Sequence, residues 1–80
     1  MMHIKKFYEW SIVYMTKSGK TEILRGSERK EADAVQSVFA LLEDKSFAIH
    51  VLDIFVYAMP SGKPFIKIEP ISRHVVRGAL

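Results

Sequence analysis

The chain contains no cysteine. That excludes disulfides and every thiolate metal centre, and it leaves the redox compartment open. It also has no long apolar run. The longest, residues 54–60, is far too short to span a bilayer, and the opening MMHIKKFYEW has two lysines but no apolar stretch after them of the kind a secretory signal needs. These absences lead us to expect a soluble protein, cytoplasmic by default, with no membrane association.

Strong charge of either sign is missing as well. The formal net charge is +3, with residues 27–45 carrying a net −2 and the remainder +5. A mildly basic remainder is compatible with nucleic acid or an acidic protein surface, but at this magnitude ordinary solubility charge is the better explanation. What the chain does have is apolar content. At 49% of 80 residues it is ample for the core of one small domain, expected to cover 1–80.

Motifs of chemistry are scarce. His3, His50 and His74 have no partner at a metal-ligand spacing such as H-x-x-x-H. His50 and Asp53 lie three apart on a predicted strand, so their side chains point to opposite faces unless a bulge intervenes. Ser11, Ser61 and Ser72 lack the glycine context of a nucleophile elbow. Gly19-Lys20-Thr21 looks like the tail of a phosphate-binding loop, but Tyr14 stands where that loop needs glycine, and the segment leads into a strand rather than a helix. No catalytic residue, metal or cofactor is expected, and the chain resembles no family by its motifs.

Local patterning predicts ββαββ. FYEWSIVYM at 7–15 is rich in aromatic and β-branched residues, with a short partner strand at 21–25. Val35, Val38, Phe39 and Leu42 form a helical stripe, placing an amphipathic helix at about 28–45 with Ser27 as N-cap. Residues 47–58 read as a long strand apolar on both faces, and 65–69 as its partner. The tail 71–80 reads as a short helix, a docking strand or a flexible end. The expected fold is α+β: a single antiparallel four-stranded sheet with one helix across one face.

The two hairpins share a pseudo-repeat. A shift of 43 positions aligns Val13 with Val56, Tyr14 with Tyr57, Ser18-Gly19-Lys20 with Ser61-Gly62-Lys63, and Ile23 with Ile66. Lys17-Ser18 and Pro60-Ser61 suit the centres of type I turns, each followed by glycine at positive φ. Either a duplication or the like demands of two hairpins would produce this, and we favour the second. The repeat and the charges disagree about which sheet face meets the helix. The charges place Asp53, Glu9, Lys67 and Glu69 on the open face with Phe55, Tyr57 and Phe65, leaving Trp10, Ile12, Leu52, Ile54, Ile66 and Ile68 under the helix. Asp53 is expected to pair with Lys67 if it is buried.

One helix covers one face, so an aromatic patch is left open, and such patches mark interfaces. We therefore expect a non-catalytic interaction protein, a homodimer, that binds a protein partner through Phe55, Tyr57, Phe65, Lys67 and Asp53 or through its hairpin tips. Compact domains without motifs occur among phage- or plasmid-encoded inhibitors of host machinery, anti-CRISPR proteins among them, and this is the class we expect by analogy. The alternative is nucleic-acid binding, with Lys17, Lys20 and Lys63 on phosphates and exposed aromatics on bases.

Overall fold

The structure is a computed structural model and describes residues 5–43 and 50–78. Its elements are β1 (Phe7–Met15), β2 (Thr21–Glu28), α1 (Glu31–Leu42), β3 (Val51–Met59), β4 (Lys63–Ile68) and β5 (Val75–Arg77). All neighbouring strands are antiparallel, in the order β2-β1-β3-β4-β5. The α+β class and the single antiparallel sheet agree with the sequence, but the sheet has five strands, not four. The fifth comes from the tail, whose residues 75–77 dock on β4. Pro70 helps to end β4, Arg73 takes a left-handed φ of 61°, and Glu69 and His74 close the turn through a backbone bond of 2.9 Å.

The helix is shorter than expected at its start. Ser27 is not its cap; it pairs with Glu9 in the sheet, because β2 runs on to Glu28. Lys30 occupies the N-cap position without a side-chain hydrogen bond, and Glu31 and Asp33 in the first turn supply the negative charge the helix dipole favours. The expected helical residues 44–45 and the strand start at 47–49 lie outside the described residues. The predicted stripe is the buried one: Val35, Val38 and Leu42 are buried together with Ala34, and Phe39 packs alongside.

Two arginines of the tail tie this helix down. Arg73 donates from Nη2 to the Leu42 carbonyl (2.7 Å), filling one of the acceptors that every helix leaves open at its C-terminus. Arg77 pairs with Glu31 in the first turn. Ser37 Oγ adds a bond to Glu28 Oε1 at 2.9 Å.

The core lies between α1 and one face of the sheet. Even-numbered residues of β1 and β3 supply it, since side chains alternate along a strand. Trp10, Ile12, Ile54, Val56, Ile66 and Ile68 are all buried there. Trp10 lies over Gly26, its cross-strand partner, where any β-carbon would overlap the indole. The glycine is needed for close approach and not for an unusual φ. The indole Nε1 is buried with no hydrogen-bond partner among the described residues, which subtracts from what the ring contributes.

Two residues depart from plain alternation, and both sit at bulges. Leu52 is the extra residue where the β1–β3 register shifts, and it is 48% exposed rather than under the helix. Phe65 is the extra residue where the β3–β4 register shifts, and it packs on Tyr8 with ring centroids 5.6 Å apart. A bulge inserts one residue and so resets which face the following side chains take.

Candidate functional site

The face away from α1 is assembled from the odd-numbered residues of β1, the strand at the centre of the longest pairings. Glu9 stands opposite Ser27 and Tyr57, Ser11 opposite Arg25 and Phe55, Val13 opposite Ile23 and Asp53. Lys67 on β4 stands opposite Phe55. Glu9, Ser11, Val13, Ile23, Arg25, Tyr57 and Met59 line a shallow groove of about 280 Å³ here. Ser11 at its floor is only 8% exposed although no described helix covers this side. The groove's larger neighbours therefore already stand over the small central residue.

Phe55 and Tyr57 lie side by side on this face, ring centroids 6.2 Å apart and tilted by 42°. Asp53 is on the same face but exposed, so no buried charge has to be compensated. The expected pair with Lys67 is not made: Lys67 approaches Glu69 at 3.9 Å instead, because residues two apart on one strand share a face. Phe65 does not join the group; its place at the bulge carries it to the core side, against Tyr8. Of the five expected contact residues, Phe55, Tyr57, Lys67 and Asp53 share the open face and Phe65 does not. Glu9 is on this face as expected, Met59 continues the alternation of β3, and Ser11, Val13, Ile23 and Arg25 join them because β1 lies between β2 and β3. Strand order is a long-range fact that local patterning does not carry.

The tip lysines are divided between the two ends of the sheet. Lys17 and Lys20 belong to the turn that follows Met15, while Lys63 pairs with Ala58, opposite Tyr8 at the start of β1. Nine residues of β1 separate the ends, roughly 30 Å at about 3.3 Å per residue. The end that holds Lys63 carries a second basic group: Lys5, Lys6 and Arg29 line a depression of about 370 Å³ beside Phe7. Glu28 and Asp33 border the adjoining hollow of about 490 Å³.

Among the described residues, no group of three or more His, Asp or Glu is placed to hold a metal ion. A bulge does fall between His50 and Asp53, yet no hydrogen bond or ion pair joins them. Tyr14 stands opposite Glu22 across the β1–β2 pair. Its hydroxyl donates to Glu22 Oε2 at 3.0 Å, and that bond, with some desolvation and the carboxylate's charge, holds its pKa above the usual tyrosine value. No described helix is long and apolar enough to cross a membrane.

Comparison of the chain with protein-family models, curated proteins and solved structures returns no match.

Proposed function

We propose that the protein is a non-catalytic interaction module that binds a protein partner on its open sheet face and acts by occupying that partner's surface. The observation that carries this reading is the Phe55–Tyr57 pair beside the groove, on a face the only described helix does not cover. Aromatic residues set among apolar and a few charged neighbours are the usual energetic centres of protein interfaces. The charge of the face favours protein over nucleic acid. Glu9, Asp53 and Glu69 outnumber Arg25 and Lys67, and a phosphate backbone would meet net repulsion there.

The test places a photo-crosslinking amino acid at Tyr57 and, separately, at the exposed helix residue Gln36 in the protein expressed in its native host. We expect one discrete protein adduct from position 57 and none from 36, abolished by adding Phe55→Ala. Fluorescence anisotropy with mixed DNA and RNA at low salt supplies the opposing arm. Tight binding there, lost in the Lys17→Ser, Lys20→Ser, Lys63→Ser triple variant, would overturn the reading in favour of nucleic acid.

A further inference from the structure

The sheet ends in two very different edges. β5 offers three residues, a length at which an edge attracts little pairing. β2 offers eight, without proline and without a register shift against β1. The backbone bond from Thr16 N to Lys20 O (2.8 Å) marks a hydrogen-bonded pair. Alternation along the antiparallel register then points the N–H and C=O groups of Glu22, Leu24, Gly26 and Glu28 at β1. Those of Thr21, Ile23, Arg25 and Ser27 point outward. No described backbone group bonds to them. Ile23, in the middle of this edge, is 51% exposed.

We propose that β2 pairs with β2 of a second copy of this chain, antiparallel about a two-fold axis at Leu24, to make one continuous sheet across the dimer. The occupant follows from the strand's own sequence. Outward-pointing residues must pair with outward-pointing residues, so only alternate registers are available. With Leu24 opposite Leu24 of the copy, Lys20 meets Glu28 at both ends, Thr21 meets Ser27, and Glu22 meets Gly26. Opposite charges directly across an antiparallel pair are favourable, and here they occur twice by symmetry. Moving the register two residues one way sets Arg25 against Arg25 and Glu22 against Glu28. Moving it the other way leaves Lys20 facing Gly26 and Glu28 facing Ser18, with no charge pair. One register is therefore selected by like-charge repulsion on one side and lost pairing on the other.

α1 sits over one face of β1 and β2, while the seam uses main-chain groups of β2 that lie in the plane of the sheet and point away from β1. The proposed seam uses the outer edge of β2, whose Ile23 and Arg25 also line the groove beside Tyr57, so self-association and crosslinking from position 57 are read by separate measurements.

The absence of native cysteine makes the test direct. Leu24→Cys places two thiols across the axis on a non-hydrogen-bonded pair, where Cα atoms stand at about 4.5 Å, within disulfide range. Thr21→Cys places them at opposite ends of the seam. Under mild oxidation at tens of micromolar we expect Leu24→Cys to become a covalent dimer and Thr21→Cys to stay monomeric. Sedimentation equilibrium supplies the second arm: wild type as a dimer, and Lys20→Glu and Glu28→Lys each at least tenfold weaker in self-association. An equimolar mixture of those two restores both charge pairs and should form the heterodimer. A monomeric wild type at several hundred micromolar would overturn the proposal, as would equal crosslinking of the two cysteine variants. If Glu28→Lys loses its fold with its Ser37 bond, Lys20→Glu and the cysteine pair decide alone, and dimerisation unaffected by Lys20→Glu overturns the register.

Discussion

The two hairpins β1–β2 and β3–β4 are alike in sequence and opposite in orientation. Both turns put their glycine at positive φ, 85° at Gly19 and 75° at Gly62. Beyond the turns the likeness fails. Val13 lies on the open face and Val56 is fully buried; Ile23 is exposed and Ile66 is fully buried. Tyr14 lies on the helix side, packed against the core and bonded to Glu22, while Tyr57 borders the open groove. An offset of 43 is odd, and alternation with period two carries aligned residues to opposite faces. The turns differ as well. Gly19 N bonds Thr16 O (2.9 Å), three residues back, whereas Gly62 N bonds Ala58 O (2.8 Å), four back, around a cis Met59–Pro60 peptide. The bond that closes the second turn therefore spans one residue more than the bond that closes the first. Both tips need glycine, whereas a strand's orientation is decided by where its apolar residues can be buried.

The sharpest way to break the comparison is to truncate aligned residues and compare the losses. Trp10→Ala should cost about 3–5 kcal/mol and Ile66→Ala about 2–5 kcal/mol, since both leave cavities in the helix-side core. Their aligned counterparts, Asp53→Ala and Ile23→Ala, should stay within about 0.5 kcal/mol, as surface changes do. Urea denaturation of the four variants decides it, and similar losses within either pair would restore the repeat as a structural unit.

A smaller effect sharpens what the hairpins do share. Gly19→Val and Gly62→Val should each cost roughly 1–2 kcal/mol, because both positions demand a left-handed backbone that a β-branched residue resists. Nothing stands near either glycine to clash with the new side chain, so backbone strain is the whole of the effect. Thermal midpoints lowered by similar amounts in both variants would bear this out; one unmoved midpoint would show that its turn relaxes to another geometry.

Much of this architecture was legible from local pattern. The stripe Val35, Val38, Phe39 and Leu42, the two glycine turns and the charges that mark the open face of β3 are short-range signals, and the structure carries each of them. The charges were the better guide to orientation, because exposing an apolar residue costs less than burying an unpaired ion. What local pattern could not supply was the bulges. Leu52 and Phe65 were assigned by strict alternation, and each falls where one extra residue breaks it. The reach of β2 to Glu28 and the docking of residues 75–77 were equally hidden, since each depends on a partner distant in the chain. Of the open-face group, Glu9, Asp53, Phe55, Tyr57 and Lys67 are readable from alternation and charge, whereas Ile23 and Arg25 require the strand order.

The position of β1 between β2 and β3 also orders events in time. Each hairpin can zip from its own turn, but β1 meets β3 only after all of β2 and α1 has been gathered between them. Closing that loop loses chain entropy before its contacts repay the loss, so this seam sets the height of the folding barrier. In stopped-flow refolding, Ile54→Val at the seam should slow folding, while Ile68→Val near the β5 side should chiefly speed unfolding. The reverse assignment would mean that the molecule assembles from its C-terminal hairpin inward.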